Sequence, residues 1–130
     1  MKIIISPDSF KGTLTALQAA ESIERGIKHI NNDIETLIIP VADGGEGTLE
    51  TLVLATNGRK VDVLVLDPLG REIIASYGVL GNGTTCVIEM AAASGITLLH
   101  NNEKDPHIAS TFGTGQLLKQ SYNRKLNSQL

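Results

Sequence analysis

Two acidic, glycine-rich segments each follow a short aliphatic run and precede an amphipathic stretch. The first acidic loop is residues 6–12 (Ser-Pro-Asp-Ser-Phe-Lys-Gly), and the second acidic loop is residues 42–48 (Ala-Asp-Gly-Gly-Glu-Gly-Thr). In a strand–loop–helix unit the loop lies at the carboxyl end of the strand, and open α/β sheets bind ligands at that edge. We therefore expect four charged side chains to lie near one another at one edge of a parallel sheet: Asp8, Lys11, Asp43 and Glu46.

The order of predicted elements in the first half of the chain favours an α/β fold. Residues 2–6 and 34–39 are rich in β-branched side chains and end at a proline, which is typical of short buried strands. A capping-box pattern from Thr15 to Gln18 predicts the start of a helix between them. A second helix is predicted over about 46–56, so the chain opens as a doubly wound, Rossmann-like parallel sheet.

After residue 58 the pattern changes from alternating strands and helices to pairs of strands. Residues 60–66 and 72–80 flank a type I turn at 67–70, and residues 84–90 follow a Gly-Asn-Gly turn as the partner of a hairpin. A final helix is predicted over about 114–122.

These patterns predict two domains, neither of them whole. Residues 1–58 are interpreted as the first part of a Rossmann-like domain, and residues 59–130 as the beginning of a second, incomplete α/β domain. A parallel sheet of only two confident strands is unusually small. We therefore expect some apolar faces to lack partners and the chain to be truncated, with residues 123–130 polar and without useful periodicity.

Composition excludes several classes of function. The net charge is -3 and aromatic residues make up 3% of the 130 residues, which argues against nucleic acid or an anionic membrane as partner. No apolar run approaches the roughly 18 residues that a membrane span needs. The one cysteine, Cys86, cannot form an internal disulfide, which favours a cytoplasmic location, and its place in a predicted strand indicates a buried structural thiol.

The second acidic loop offers the richest chemistry. Three glycines, Gly44, Gly45 and Gly47, permit positive φ angles and close approach of backbone amides to an anion, with Thr48 beside them. Asp43 and Glu46 supply the oxygen ligands that Mg²⁺ prefers, and both face one ligand if the helix starts near Gly45. The structural alternative is a turn in which Asp43 caps the helix.

The first acidic loop supplies complementary groups. Asp8 is placed to orient or deprotonate a hydroxyl nucleophile, Lys11 to neutralise phosphate charge, and Ser9 to contact substrate or phosphate. The alternative is an Asx-type turn with a solvated lysine. Neither the P-loop nor the dinucleotide-binding fingerprint occurs in the chain, so these loops, and not a standard nucleotide motif, suggest phosphoryl transfer.

Three weaker candidates lie further along the chain. Arg71 is a candidate clamp for a substrate carboxylate, although a solvated arginine is the commoner case. Ser94 lies in a small-residue segment from Glu89 to Gly95, and close packing explains that segment as well as ligand binding does. Thr114 lies in a Thr-Phe-Gly-Thr-Gly segment that suits a phosphate or an ordinary helix cap.

With these motifs in order, the chain closely resembles the N-terminal part of the bacterial class I glycerate kinases. The resemblance is carried by five segments: 6–12, 42–48, 67–71, 88–95 and 111–115. It implies transfer of the ATP γ-phosphoryl group to a hydroxyl of glycerate, usually giving 2-phosphoglycerate, with Mg²⁺. It also implies two α/β domains with the active site in the cleft between them.

The resemblance has one large departure. Family members continue for a few hundred residues, including a downstream glycine-rich segment that is missing here, so we expect this chain alone to have little or no activity. For the complete enzyme, Asp8 or Asp43 is expected to activate the hydroxyl, and Asp43 or Glu46 to hold Mg²⁺. The alternatives are a non-catalytic module that binds a sugar acid or nucleotide, and a non-functional remnant of a kinase gene.

Overall fold

The computed structural model describes residues 1–10 and 12–127. Two compact units make up the structure, Met1–Thr51 and a second that begins at Leu52. The elements follow in this order: β1 (Lys2–Ile5), α1 (Ala16–Ile30), β2 (Glu35–Ile38), α2 (Thr48–Ala55), β3 (Arg59–Leu66), β4 (Glu72–Val79), β5 (Cys86–Val87), α3 (Met90–Ser94), two 3₁₀ turns (Ile96–Leu98 and Asn101–Glu103) and α4 (Phe112–Asn127). The predicted α/β class is confirmed. The boundary predicted at residue 58 stays a prediction.

The first unit is a parallel β1–α1–β2 arrangement. β1 and β2 pair in register from Lys2 opposite Glu35 to Ile5 opposite Ile38. The predicted capping box is confirmed, since Thr15 Oγ1 accepts from the Gln18 amide at 3.1 Å and Gln18 Oε1 accepts from the Thr15 amide at 2.9 Å. Three small residues on α1 are buried, which lets the helix lie close to the sheet: Ala16, Ala19 and Ala20.

Beyond the two strands the chain segments continue side by side. The Ile39 amide donates to Ile5 O at 2.9 Å, and the Val41 amide donates to Pro7 O at 3.2 Å. Pro7 and Pro40 have no N–H, so each removes one donor from the ladder and regular pairing ends there. Both acidic loops therefore leave the sheet at the same edge.

The second unit is built on a long antiparallel pair. β3 and β4 have eight residues each and are joined by the predicted turn, in which the Gly70 amide donates to Asp67 O at 3.1 Å. α3 and α4 pack on one face of this pair. Their shared core consists of Val65, Ala75, Tyr77, Val79, Ala93 and Leu117. Among the described residues no helix is both long enough and apolar enough to cross a membrane.

The hairpin partner predicted over residues 84–90 is much shorter in the structure. β5 contains only Cys86 and Val87, and Met90 already lies in α3. The Asn82 side chain accepts hydrogen bonds from the Thr84 and Thr85 amides, so the residues directly before β5 form a loop and not a strand. Because a two-residue edge strand offers little cover, Cys86 is exposed, and the prediction of a buried thiol is wrong.

The last helix is longer than the sequence pattern predicts. It begins at Phe112, whose amide donates to Ser110 Oγ at 3.1 Å, and continues to Asn127. Thr114 is therefore inside the first turn and is not its N-cap. The sequence pattern predicts that this helix ends at about Tyr122, whereas it continues to Asn127 through residues that have no useful apolar periodicity.

Candidate functional site

The two acidic loops lie against each other at the carboxyl edge of β1 and β2. Ser9 Oγ donates to the carbonyl oxygen of Glu46 at 3.4 Å. A Cβ placed on Gly47 would lie 3.9 Å from the Cβ of Ser9, so side chain and bare backbone are in contact distance. The two acidic loops therefore meet at one edge of the sheet, as predicted.

Each aspartate of the acidic loops is held by a nearby amide. Asp8 Oδ1 accepts from the Ser9 amide at 2.6 Å, and Asp43 Oδ1 accepts from the Gly45 amide at 2.9 Å. Asp8 is half-buried, whereas Asp43 and Glu46 are exposed. The Asp43 bond, to the amide two residues on, is that of an Asx-type turn, whereas the Asp8 bond is to the amide of the next residue.

The start of α2 corrects one part of the prediction. The helix begins at Thr48 and not near Gly45, so Asp43 and Glu46 both precede it. Their three-residue spacing therefore does not place them on one helical face. Asp43 closes the turn before the helix and does not cap the helix itself.

The glycines of the second acidic loop are required by backbone conformation. Gly44 has φ of 97° and Gly47 has φ of 92°, values that residues other than glycine rarely adopt. A Cβ on Gly44 would meet no atom within 4 Å, so open space, and not crowding, surrounds this backbone. The loop thus presents uncovered peptide groups.

Thr48 carries an unsatisfied hydroxyl at the start of α2. Its Oγ1 is buried and has no hydrogen-bond partner within the described part of the chain. A buried polar atom without a partner is costly, and a bound phosphate oxygen would satisfy it. This hydroxyl, together with the glycine loop before it, fits a phosphate group.

Mg²⁺ fits this site only if phosphate oxygens and water supply some of its ligands. Across residues 1–10 and 12–127, no three His, Cys, Asp or Glu side chains converge into a group that could hold a metal. Mg²⁺ is commonly bound through one or two carboxylates, with phosphate oxygens and water completing the shell. Asp43 and Glu46 suit that partial role. Lys11, predicted as a phosphate contact, lies outside the described residues.

The weaker candidates all fall in the second unit. The hydroxyls of Ser94 and Thr114 are hydrogen-bonded at 2.7 Å, joining the end of α3 to the first turn of α4. A Cβ on Gly113 would lie 1.8 Å from the carbonyl oxygen of Leu66, whereas one on Gly115 would meet nothing. The first glycine of the 111–115 segment therefore serves close packing of α4 on β3.

Arg71 is engaged with protein groups. Its Nε donates to Asp67 Oδ2 at 2.5 Å, its Nη1 to Glu103 Oε1 at 2.8 Å and its Nη2 to Leu98 O at 3.4 Å. The guanidinium therefore ties the turn at 67–70 to the segment that contains the 3₁₀ turns. A ligand carboxylate would have to displace Glu103 to use it.

The carboxylates around Arg71 have lowered pKa values. Burial is the largest influence on Asp67 and raises its pKa, but hydrogen bonds from the Arg71 amide, the Arg71 guanidinium and the Leu69 amide, with the Arg71 charge, outweigh it. The pKa of Glu103 is lowered first by the His100 amide and then by Arg71. Hydrogen bonds to Asp67 and then Glu103 raise the pKa of Arg71. The sequence analysis missed Asp67, although an Asp opening a turn four residues before an Arg was a usable signal.

A cavity of about 260 Å³ lies beside this network in the second unit. Ser94 lines it, together with Lys104, Ser110 and Thr111. Lys104 and Ser110 were not predicted as site residues, and Thr111 was considered only as part of the 111–115 segment. They belong to a polar loop and a helix start, which sequence patterns do not distinguish from ordinary surface.

Comparison with known proteins identifies the relatives of this chain. The family model described as "Glycerate kinase family" matches residues 3–129.

The chain belongs to the glycerate kinase family.

Several members of this family are similar to the chain. It is 53% identical over 118 residues to "Glycerate kinase" of Bacillus subtilis (strain 168), covering 91% of this chain and 31% of the relative. It is 46% identical over 121 residues to "Glycerate 2-kinase" of Escherichia coli (strain K12), covering 93% of this chain and 32% of the relative. A crystal structure from Salmonella typhimurium LT2, named as a candidate glycerate kinase 2, superposes with a TM-score of 0.73 at 46% identity.

The match covers nearly all of the chain but a minor part of each relative. The Salmonella comparison covers 95% of this chain and 33% of that structure. This glycerate kinase family chain therefore spans about a third of the length of the relatives it matches.

Proposed function

We propose that this chain supplies the phosphate-binding part of an ATP-dependent glycerate kinase that forms phosphoglycerate, with 2-phosphoglycerate as the expected product. The observation that supports this most is the meeting of two acidic loops beside positive-φ glycines and an unsatisfied Thr48 hydroxyl. Membership of the glycerate kinase family supports glycerate as the substrate of the complete enzyme. The chain alone is expected to have little or no activity.

Phosphate binding is assigned to the second acidic loop. Backbone amides around Gly44, Gly45 and Gly47 stabilise phosphate charge, since donors held in place before the reaction need no reorganisation during it. The Thr48 hydroxyl binds a phosphate oxygen and thereby gains the partner that it lacks. Lys11 and Ser9 add charge and a hydroxyl from the first acidic loop.

Activation of the substrate hydroxyl is assigned to Asp8 or Asp43. Either carboxylate has one oxygen bound to a backbone amide, which orients the group for accepting a proton from glycerate. Asp43 and Glu46 are the residues that would hold Mg²⁺. When bound, the ion neutralises negative charge on the phosphates.

In the second unit, Ser94 and Thr114 are proposed substrate or phosphate contacts through their paired hydroxyls. Arg71 is retained as a proposed contact for the acid, in competition with Glu103. The remaining expectations also stand as proposals: ATP and glycerate as partners, no nucleic acid or membrane partner, and a cytoplasmic location.

A chimera tests the role of Asp43. This chain would replace the matching 118 residues of the Bacillus subtilis relative, and ADP formation dependent on D-glycerate and Mg²⁺ would be measured. Asp43→Asn is expected to lower kcat at least a hundredfold, because general acid–base groups contribute on that order.

The matched control is Asp33→Asn, which removes the same charge from an exposed turn before β2. We expect the control chimera to keep its activity. Turnover by Asp43→Asn equal to that of the parent chimera would remove Asp43 from the chemistry, and a fully active chimera with no glycerate dependence would contradict the proposed substrate.

A further inference from the structure

The sequence contains one Asp-Gly pair, Asp43-Gly44, and two Asn-Gly pairs, Asn57-Gly58 and Asn82-Gly83. In each pair the glycine nitrogen can attack the carboxyl or amide carbon of the side chain before it and close a five-membered succinimide ring. Glycine permits this reaction best, because it has no Cβ to restrict the backbone. In a folded chain the reaction also requires that the glycine N–H is not engaged and that its peptide can rotate. The three pairs differ in these two respects.

Gly44 meets both requirements. Across residues 1–10 and 12–127, no acceptor takes a hydrogen bond from its N–H. Gly44 is exposed, and a Cβ placed on it would meet no atom within 4 Å. The peptide between Asp43 and Gly44 can therefore rotate without losing a hydrogen bond at nitrogen or displacing a neighbouring group.

The Asp43 side chain is held against the backbone that follows it. Its Oδ1 accepts from the Gly45 amide at 2.9 Å, and a Cβ placed on Gly45 would lie 4.0 Å from the carboxyl carbon. Negative charge develops on a carboxyl oxygen when a nucleophile attacks, and a donor that already points at that oxygen stabilises the charge. The Gly45 amide is such a donor.

The Asn57-Gly58 pair meets neither requirement. The Gly58 amide donates to Val53 O at 2.8 Å, so the hydrogen bond must break before the nitrogen can react. A Cβ placed on Gly58 would overlap the carbonyl oxygen of Val79, which shows that this backbone is packed against the end of β4. Rotation of the Asn57-Gly58 peptide therefore requires the neighbouring strand to move.

The Asn82-Gly83 pair is held by hydrogen bonds at both reacting groups. The Gly83 amide donates to Leu80 O at 2.8 Å. The Asn82 side chain accepts from the Thr84 and Thr85 amides, and its Nδ2 donates to Thr85 Oγ1 at 2.9 Å. Ring closure here must break the bond at nitrogen and move a side chain that has three partners.

We propose that Asp43 converts to isoaspartate in the folded chain, with Gly44 N as the nucleophile. The nitrogen lone pair forms a bond to Cγ of Asp43. The bond from Cγ to one carboxyl oxygen breaks, and that oxygen leaves as water with the N–H proton and the carboxyl proton. One water molecule then opens the succinimide. Cleavage of the Cγ–N bond returns aspartate, and cleavage between the main-chain carbonyl carbon of Asp43 and Gly44 N gives isoaspartate.

The product changes the geometry of the second acidic loop without changing its mass or composition. The main chain of an isoaspartyl residue passes through Cβ and Cγ, so the loop becomes one carbon longer. The free carboxylate is then the former main-chain carbonyl group of Asp43, in a different position. This inference does not depend on the proposed function, although it concerns a carboxylate to which that function assigns a role.

The test uses the Asp43→Asn variant of the 130-residue chain, kept folded at 37 °C. All three reacting pairs are then Asn-Gly and lose the same leaving group, ammonia, so only their surroundings differ. Peptide mass spectrometry follows deamidation at each position. We expect deamidation at position 43 to be about tenfold faster than at Asn57 or Asn82, the factor expected when an amide hydrogen bond must break first.

The same variant unfolded in urea is the matched control, and there the three rates should become similar. In the unsubstituted folded chain, isoaspartate detected by enzymatic methylation should accumulate at Asp43. Asp33 serves as an internal comparison, because the β-branched Ile34 follows it, and it should stay unmodified. Deamidation at position 43 no faster than at Asn57 and Asn82, the same ratio of rates in urea, or no isoaspartate at Asp43 would each overturn the proposal.

Discussion

At the scale of single residues, the chain uses aspartates beside turns in two ways. Asp8 and Asp43 each accept a hydrogen bond from one backbone amide. The Asp43 residue is exposed, and Asp8 is half-buried. Asp67 is instead 2% exposed and accepts from two amides and one guanidinium. The first arrangement suits ligand chemistry, and the second stabilises the fold.

The Asp67 arrangement predicts a pH-dependent contribution to stability. Because the folded-state pKa values of Asp67 and Glu103 are lowered, their contribution is full above the unfolded values near 4 and is lost as pH falls through the folded values. Asp67→Asn should lower the free energy of unfolding at pH 7 by about 1–3 kcal/mol. Below about pH 4 its difference from the parent chain should shrink.

Urea unfolding between pH 3 and pH 7 measures this effect. Glu72→Gln, which removes a carboxylate from an exposed position on β4, is the control and should cost little. Equal separation of the Asp67→Asn and parent curves at every pH would show that ionisation of Asp67 does not contribute.

Residue-level prediction succeeded where local chemistry decides the outcome. Glycines at 44 and 47 have the positive φ angles that the pattern suggested. Arg71 could not be interpreted in this way, because its bond to Glu103 joins residues far apart in the sequence and depends on tertiary packing. The prediction that Cys86 is buried was wrong for the same reason, since burial also depends on tertiary packing.

At the scale of elements, α4 shows how a glycine decides helix docking. Gly113 lets the first turn approach the last residue of β3, and Gln116 Oε1 then accepts from the Leu66 amide at 2.8 Å. This contact places the Thr114 hydroxyl. Packing of α4 therefore controls the Ser94–Thr114 pair.

A pair of substitutions on α4 tests this docking. Gly113→Ala should destabilise the second unit by about 1–3 kcal/mol or more, because its Cβ overlaps Leu66 O and the helix must move. Gly115→Ala has free space and should be neutral or stabilising by up to about 1 kcal/mol. Thermal unfolding of both variants provides the measurement, and equal effects would contradict the docking described.

The elements themselves were predictable to different degrees. α1 followed from its capping box, and β1 and β2 from short β-branched runs that end at prolines. β5 and α4 were not placed correctly, because a two-residue strand has too little pattern and the end of α4 lacks an apolar stripe.

At the scale of the whole molecule, the chain presents two compact units and a third of the length of its relatives. Some apolar surface is uncovered, as the sequence indicated: Ile4 and Leu37, paired in register, are 60% and 41% exposed. Parallel sheets are usually covered on both faces. The order of the motifs predicted the family, and the strand–loop–helix pattern predicted that the two acidic loops meet at one edge of the sheet.

Titration of the ¹⁵N-labelled chain with MgATP tests most directly whether the two acidic loops form a triphosphate-binding edge. We expect saturable shifts at the amides of residues 8–10 and 43–48, with much weaker shifts from adenosine, which has no phosphates. Saturable MgATP shifts that leave both loops unchanged, or no shifts at all, would contradict it.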